Sequence, residues 1–246
     1  MATPSLGEVV SDAAPSVWTP QQPNLLFSGG RNPPLHLEAF RRLRSQLYLY
    51  ARTRTLKTVV MVSAIPGEGK TFLTANLGMT LARQKGKKVL LIDGDLRQGS
   101  LSSLLGARIQ PGLVEYLKGK VGLREIVQRG PEGDLYLISG GKRTGQAAEL
   151  LQGNALRLAM AQLGKVFDWI ILDSPAALPV SDVNALAACA DGVLVVARAG
   201  VTNRDLVRKV TGMFPEQVLG VVLNGVRRGD VYSEYEYPGY LKFHSE

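Results

Sequence analysis

Short apolar runs alternate along this sequence with longer segments in which apolar residues recur at helical spacing. Most of the short runs are apolar at every position, as expected for strands that are covered on both faces. Helical patterns lie between them, at Lys70–Gln84, Ala147–Leu163 and Asn203–Met213. This alternation predicts an α/β fold with a doubly wound, mostly parallel sheet. The predicted strands are Val59–Ser63, Val89–Ile92, Leu135–Ser139, Trp169–Leu172, Val193–Ala197 and Leu219–Leu223.

The ends of the chain differ in composition from this alternating region. Residues 1–34 are rich in Pro, Ser, Gly and Gln without sustained periodicity, so we expect a disordered or loosely attached arm. A helix with one apolar face is predicted from about Leu35 to Tyr50. Beyond Arg228 the chain is polar and rich in tyrosine. The predicted organisation is an arm (1–34), one α/β domain (35–228) and a flexible tail (229–246).

Composition and charge narrow the classes of protein that this chain fits. Its single cysteine, Cys189, lies in an apolar run, which excludes an intrachain disulfide and favours a place in the core. No stretch approaches the roughly 20 apolar residues of a membrane span, so we expect a cytoplasmic protein. The net charge is +8, and the segment 31–57 carries seven basic residues against one acid. Such a patch suits an anionic surface or the acids of a neighbouring subunit. Because no aromatic-rich motif accompanies it, nucleic acid is not expected.

The strongest local pattern runs from Val59 to Thr71 and reads VVMVSAIPGEGKT. An apolar strand leads into a glycine-bearing loop, and Lys70-Thr71 opens a helix, which is the arrangement of a phosphate-binding P-loop. Gly67 and Gly69 allow backbone N–H groups to turn towards phosphates, and the helix N-terminus adds partial positive charge. Lys70 is expected to bridge the β- and γ-phosphates of ATP, and the Thr71 hydroxyl to bind Mg²⁺. The strict pattern has glycine where this chain has Ala64.

Two further strands end in aspartates. Asp93 and Asp95 follow the second predicted strand, and Asp173 follows the strand that begins at Trp169. Because ligands of open parallel sheets bind beyond the carboxyl ends of the strands, all three carboxylates are expected on the phosphate side. Asp173 is interpreted as the Walker B acid of the Mg²⁺ site. Asp93 and Asp95 are two residues apart, and either one is a candidate proton acceptor for an incoming hydroxyl.

Taken together, these motifs resemble the bacterial tyrosine kinases that regulate capsule and exopolysaccharide export, over roughly residues 35–240. The P-loop resembles their Walker A motif, Val89–Arg97 their D-x-D-x-R motif, and Ile170–Pro175 their Walker B motif. Glu38, Arg41 and Arg44 resemble the E-x-x-R-x-x-R helix through which members assemble into rings. The resemblance implies a P-loop NTPase fold related to partitioning ATPases. It also implies a homo-oligomer and a kinase that uses ATP and Mg²⁺ on protein tyrosines.

The resemblance also assigns roles to single residues. Asp93 is the candidate base for the tyrosine hydroxyl, and Asp95 supports the metal or the base. Arg97 stabilises phosphate charge or orients the aspartates, and the metal set is Thr71, Asp95 and Asp173. Lys70, Asp93, Asp95 and Arg97 then form the catalytic set. The implied ATP-binding set is Ala64, Pro66, Gly67, Glu68, Gly69, Lys70, Thr71, Phe72 and, against the adenine, Asn224.

Four of the eight tyrosines lie in the last fifteen residues, interleaved with Glu234 and Glu236. In the family such tails carry the autophosphorylation sites, here Tyr232, Tyr235, Tyr237 and Tyr240. A tail that docks through aromatic contacts is the alternative interpretation. The family's membrane-spanning activator, of the polysaccharide co-polymerase type, is expected as a separate protein that recruits the chain to the inner face of the cell membrane.

Two departures from the family pattern concern loop shape: Ala176 follows Pro175 where a second proline is usual, and Gly99 stands where proline is frequent. The competing hypothesis is a partitioning or division-site ATPase. Such proteins usually carry an extra lysine in the P-loop, where Ile65 stands here, and they lack both the E-x-x-R-x-x-R helix and the tyrosine tail. A nucleotide-gated scaffold without catalysis also remains open, because the same aspartates would hold Mg-ATP without phosphoryl transfer.

Overall fold

The computed structural model describes residues 5–20, 37–131 and 133–226. Their centre is a seven-stranded sheet in the order β3-β4-β2-β5-β1-β6-β7. All neighbouring strands are parallel except β3 and β4, which are antiparallel. The strands are β1 (Thr58–Ser63), β2 (Val89–Asp93), β3 (Val127–Arg129), β4 (Leu135–Ile138), β5 (Trp169–Asp173), β6 (Gly192–Arg198) and β7 (Val218–Asn224).

Helices cover both faces of this sheet. On β1, Val59 and Met61 belong to one hydrophobic cluster, and Val60 and Val62 belong to the other. The first cluster is completed by α2 (Leu37–Thr53), α3 (Lys70–Ala82) and α4 (Ser100–Leu105). The second is completed by α1 (Leu6–Asp12), α5 (Leu113–Leu117), α6 (Leu123–Ile126), α7 (Ala147–Gln152), α8 (Asn154–Leu163), α9 (Asp182–Ala187) and α10 (Arg204–Met213).

The predicted doubly wound sheet is therefore confirmed, and all six predicted strands are present with ends shifted by at most one residue. The helix predicted over Ala147–Leu163 is two helices, because the backbone at Gly153 is extended and separates α7 from α8. Strand β3 was not predicted. It has three residues at the sheet edge, too few for an alternating pattern to stand out.

Residues 5–20 pack on the domain, which corrects the expectation of a loosely attached arm for this part of the chain. Helix α1 begins with a capping box at Ser5, and Val10 is buried in the core. Trp18 is also buried, and the amide of Ser16 donates to the carbonyl oxygen of Arg129 at 2.9 Å. Two apolar anchors within a polar stretch show no periodicity, so the sequence pattern did not reveal them.

Residues 21–36 and 227–246 lie outside the described part, and with them all four tail tyrosines. Within the described ranges, no helix has both the length and the apolar composition to cross a membrane.

Replacing Trp18 with alanine tests the attachment of the N-terminal segment. We expect Trp18→Ala to lower the free energy of unfolding by about 2–4 kcal/mol, because it leaves a cavity where the indole contacts Gly130. Val17→Ala is the matched control, since Val17 is 86% exposed and its loss should change little. Urea unfolding of the three proteins makes the comparison. Equal stabilities would show that the segment does not dock in solution.

Candidate functional site

The strand order brings the three chemical motifs together. Strands β2, β5 and β1 are consecutive in the sheet, and their carboxyl ends lie at the same edge. The register pairs Asp93 directly with Asp173. The P-loop follows β1, the next strand along. Above these strand ends lies a cleft of about 700 Å³, lined by P-loop residues and by residues that follow β2, β4 and β5.

The P-loop has the backbone that its glycines predict. Gly67 and Gly69 both have positive φ, at 81° and 98°. Gly69 is needed for a second reason, since a Cβ there would lie 2.0 Å from Nδ2 of Asn224. Helix α3 begins at Lys70, directly after this turn, so its N-terminus points into the loop. The loop is therefore shaped to hold an anion against backbone N–H groups.

Glu68 and Asn224 hold the loop in this shape from behind. The Glu68 side chain is buried, and its carboxylate accepts hydrogen bonds from the amide of Ile65 at 2.9 Å and from the Thr202 hydroxyl. Asn224, at the end of β7, donates to the carbonyl oxygen of Glu68 at 2.9 Å. Both residues were predicted to contact ATP, and the structure places both side chains in contacts with the protein. These hydrogen bonds stabilise the conformation of the loop.

Lys70 and Thr71 are already oriented by neighbouring side chains. The Lys70 ammonium donates to Oγ of Ser63 at 2.7 Å, and Ser63 donates to the carbonyl oxygen of Ile65 at 2.9 Å. The Thr71 hydroxyl donates to Oδ2 of Asp173 at 2.7 Å. Burial lowers the pKa of Lys70, and the charges of Asp173 and Asp95 oppose that shift. Ser63 was not identified from sequence, because a serine at a strand end carries no distinctive signal.

The three aspartates occupy different environments. Asp95 lines the cleft, and its Oδ1 accepts from the amides of Arg97 and Gln98 at 3.2 and 3.1 Å. Asp173 is fully buried, and burial raises its pKa to about 6, against the opposing hydrogen bond from Thr71. Its Oδ1 has no hydrogen-bond partner among the described residues. Asp173 thus holds an unused acceptor beside the P-loop.

Asp93 does not reach the cleft, which corrects the expectation that it shares the mouth with Asp95. It is fully buried, and its Oδ2 accepts from the amides of Leu101 and Ser102 and from the Ser102 hydroxyl at 3.1–3.2 Å. These donors belong to the first turn of α4, so Asp93 caps that helix from below. Burial, followed by the charge of Asp173, raises the pKa of Asp93 to about 7.

Arg97 lines the cleft but is committed to a partner that the sequence did not suggest. Its Nε and Nη2 donate to the two carboxylate oxygens of Asp182 at 2.8 and 3.1 Å. Asp182 is the first residue of α9, and its carboxylate is buried. In sequence Asp182 resembles an ordinary acidic residue at a helix start. In the structure it joins the loop after β2 to the segment after β5.

The E-x-x-R-x-x-R residues lie on α2, away from the cleft lining. Glu38 and Arg41 form an exposed ion pair with each other at 3.4 Å. Arg44 points inwards instead, and its Nη1 donates to the carbonyl oxygen of Thr80 at 3.0 Å, in the last turn of α3. Arg44 therefore stabilises the C-terminal end of α3 within its own chain.

The residues present fit a magnesium ion that arrives with a nucleotide. No group of three or more His, Cys, Asp or Glu side chains forms a metal cage within the described ranges. Mg²⁺ does not require one, since it usually keeps several waters and binds one or two carboxylates together with phosphate oxygens. The unpaired Oδ1 of Asp173 and the adjacent Thr71 hydroxyl provide oxygen ligands of that kind.

Comparison with known proteins identifies the family. A family model described as "AAA domain" matches residues 56–208. The tyrosine-protein kinase YwqD of Bacillus subtilis (strain 168) is 32% identical over 208 residues, covering 83% of this chain and 87% of that protein. The chain belongs to the bacterial tyrosine-protein kinase family. The tyrosine-protein kinase Etk of Escherichia coli (strain K12) is 33% identical over 217 residues, but this chain spans only 30% of its length.

Solved structures agree with this membership. The kinase domain of Escherichia coli Etk superposes with a TM-score of 0.76 at 29% identity, covering 85% of this chain and 83% of that domain. The septum site-determining protein MinD of Pyrococcus horikoshii, complexed with Mg-ADP, gives a TM-score of 0.59 at 25% identity over 69% of this chain. The resemblance and the nucleotide-binding P-loop fold predicted from sequence are both confirmed.

The buried carboxyls generate a prediction about pH. With metal and nucleotide removed, we expect the protein to lose stability as pH rises from about 5 to about 8. An unfolded aspartate loses its proton near pH 4. In the native state the pKa of Asp93 is raised to about 7 and that of Asp173 to about 6, so both carboxyls keep their protons to higher pH. Raising the pH through this window therefore favours the unfolded state, which binds fewer protons.

Asp93→Asn keeps an oxygen acceptor for α4 and removes one titration. Over the same pH window, the free energy of unfolding of Asp93→Asn should fall less than that of the wild type. The two decreases should differ by roughly 1–3 kcal/mol. Asp205→Asn is the control, because Asp205 forms an exposed ion pair on α10. Urea unfolding in EDTA at pH 5.5 and pH 8 measures the difference. Identical pH slopes for wild type and Asp93→Asn would contradict the raised pKa.

Proposed function

We propose that this chain is an ATP-dependent protein-tyrosine kinase that phosphorylates its own C-terminal tyrosines, the tail of one copy entering the cleft of another. The observation that supports this most is that Lys70, Thr71 and Asp95 line one cleft, while the buried Asp173 carboxylate accepts a hydrogen bond from the Thr71 hydroxyl. Family membership supplies the reaction class, since the named relatives are tyrosine-protein kinases. The acceptors are the sequence-identified cluster Tyr232, Tyr235, Tyr237 and Tyr240.

The P-loop side of the cleft binds the triphosphate. The N-terminus of α3 and the turn at Gly67 and Gly69 present backbone N–H groups, and Lys70 adds a buried positive charge. Phosphate oxygens replace Ser63 as the partner of the Lys70 ammonium. Thr71 and Asp173, with Asp95 beside them, hold Mg²⁺, which when bound neutralises charge on the transferring phosphoryl group. The adenine lies on the β7 side, where Asn224 contacts the loop.

Asp95 takes the role of proton acceptor that the resemblance gave to Asp93. Asp93 is enclosed beneath α4 with one oxygen already accepting three hydrogen bonds, whereas Asp95 lines the cleft. A group that accepts a proton from an incoming hydroxyl must come within hydrogen-bond reach of it. Asp93 instead positions α4, the helix that follows the loop bearing Asp95 and Arg97. Arg97, fixed by Asp182, orients that loop and adds positive charge at the mouth.

The assembly and the cellular role follow the family. Copies associate through the exposed Glu38 and Arg41 on α2, and a ring is the form expected from the resemblance. A separate transmembrane activator of the polysaccharide co-polymerase type recruits the chain to the inner face of the cell membrane. There the kinase regulates exopolysaccharide or capsule synthesis and export. Tail phosphates each add about −1.5 to −2 charge and weaken the assembly through repulsion.

Phosphate mapping tests the reaction. The purified chain is incubated with Mg-ATP, with and without a fragment of the activator, and phosphotyrosine is located by mass spectrometry. Lys70→Met should reduce tail phosphorylation at least about 100-fold, because it removes the buried charge at the phosphates. Lys118→Met is the control, since Lys118 is exposed at the end of α5 and outside the cleft lining. Removing residues 230–246 should abolish the signal from the tail.

The competing functions give different results in the same assay. ATP binding without phosphotyrosine, even with the activator, would contradict the kinase. Hydrolysis that depends on DNA or lipid would then favour a partitioning-type ATPase. Binding without hydrolysis or transfer would favour a nucleotide-gated scaffold.

Single substitutions on α2 separate assembly from folding. We expect Arg41→Ala to lower the oligomer mass and tail phosphorylation together while the melting temperature stays the same, because Arg41 is exposed. Arg44→Ala should in addition lower the melting temperature, because Arg44 bonds the carbonyl oxygen of Thr80. Light scattering and thermal unfolding measure the two effects. An unaltered mass in Arg41→Ala would remove the assembly role of this residue.

A further inference from the structure

The strand order divides the cleft into two sides. The P-loop follows β1, and Asn224 approaches it from β7, on one side. Residues that follow β5, β2 and β4 line the other side. In an in-line displacement the acceptor hydroxyl approaches opposite the leaving group. An acceptor tyrosine therefore enters over the β2 and β4 loops when the nucleotide extends towards β7.

Arg143 stands on this acceptor side. It lies in the segment between β4 and α7, its side chain is exposed, and it lines the cleft. The backbone on either side of it is held. The amide of Lys142 donates to the Glu115 carboxylate at 3.1 Å, and the amide of Thr144 donates to the carbonyl oxygen of Leu96 at 3.1 Å. The second bond ties this segment to the D-x-D-x-R loop, so Arg143 is presented at a defined place.

Arg143 also differs from the other two cations of the cleft lining. Lys70 lies beside Asp173 and Asp95 and donates to Ser63, and Arg97 is paired with Asp182. Within the described ranges, Arg143 forms neither an ion pair nor a hydrogen bond through its side chain. Its guanidinium therefore has its full set of donors available to a carboxylate that enters with the acceptor.

The proposed acceptor carries such carboxylates. In the sequence, Glu234 and Glu236 flank Tyr235, and Glu236 also precedes Tyr237. Arginine pairs with carboxylates through two parallel N–H···O bonds, which gives geometric selectivity as well as attraction. A guanidinium at the mouth thus matches a tyrosine whose immediate neighbours are acidic.

We propose that Arg143 is a specificity-determining residue that selects acceptor tyrosines flanked by glutamate or aspartate, with Tyr235 the best matched in the tail. This rests on the proposed tyrosine kinase activity and extends it to a substrate class. Arg143 acts by binding the flanking acid and not on the transferring phosphoryl group. Its removal should therefore change KM for the acceptor and leave kcat unaltered.

Two peptides and three full-length proteins test the proposal. One peptide spans residues 230–242, and the other has Gln in place of Glu234 and Glu236. Peptide phosphorylation is followed by mass, which separates it from the tail of the enzyme. The wild type should use the acidic peptide about two- to fivefold better in kcat/KM, the range expected for exposed ion pairs. Arg143→Ala should lose that preference through KM. Lys142→Ala should keep it, because Lys142 is exposed on the same segment but outside the cleft lining.

Reversing the charge of residue 143 and of the peptide tests directly whether Arg143 selects the acidic neighbours of the tyrosine. Arg143→Glu should prefer a third peptide that carries Lys in place of Glu234 and Glu236. An unchanged KM for ATP and an unchanged melting temperature show that each variant is intact. If wild type and Arg143→Ala use the acidic and amide peptides equally, the specificity role is wrong while the kinase activity stands. A fall in kcat without a change in KM also overturns it. If wild type phosphorylates no peptide and no tail tyrosine, the kinase proposal itself fails.

Discussion

Two carboxylates, Asp93 and Asp173, end neighbouring buried strands at the same level of the sheet, and the surrounding site is built around the cost of placing them there. Burial favours the neutral form of each, the charge of Asp173 further raises the pKa of Asp93, and the charge of Asp95 further raises the pKa of Asp173. The protein stabilises them with different partners. Asp93 accepts hydrogen bonds from the first turn of α4, whereas Asp173 accepts a hydrogen bond from Thr71 and lies near the positive charge of Lys70. Each carboxylate keeps one oxygen without a hydrogen-bond partner among the described residues. Asp93 caps a helix through its other oxygen, whereas the other oxygen of Asp173 accepts from Thr71 at the start of α3, which makes Asp173 the candidate ligand group.

The loops around this pair are joined to each other by hydrogen bonds and an ion pair. Asp182 holds Arg97 in an ion pair. The carbonyl oxygen of Leu96, in the same D-x-D-x-R loop, accepts a hydrogen bond from the segment that bears Arg143. Glu68 and Thr202 brace the P-loop from the β6 side. A buried carboxylate such as Asp182 is costly to leave unpaired, so Arg97 is held firmly in place. The cleft is consequently preorganised to bind charged groups. At its mouth lies Arg143, whose side chain has no ion pair or hydrogen bond in the part of the chain that the structure describes.

The sequence was sufficient for the features that depend on local pattern. Six strands, the P-loop and the three aspartate positions follow from apolar runs and glycine spacing, and they are where the pattern predicted. The direction in which each side chain points was not predictable. Asp93 and Asp95 are two residues apart, yet α4 covers one and leaves the other at the cleft. The roles of Arg143 and Asp182 depend on contacts between loops that are distant in sequence. No residue spacing along the chain predicts those contacts.

Helix α2 connects the surface proposed for assembly with the helix that begins at the phosphate-binding loop. It packs along α3, the helix whose first residues are Lys70 and Thr71. Near the N-terminal end of α3, Phe72 contacts Phe40 of α2, with ring centroids 6.3 Å apart. Near the C-terminal end of α3, the carbonyl oxygen of Thr80 accepts a hydrogen bond from Arg44 of α2. Phe72 directly follows Thr71 in the chain. A neighbouring copy that presses on the exposed side of α2 would therefore act on the helix that carries the phosphate-binding residues, because packed interiors transmit displacement between elements in contact.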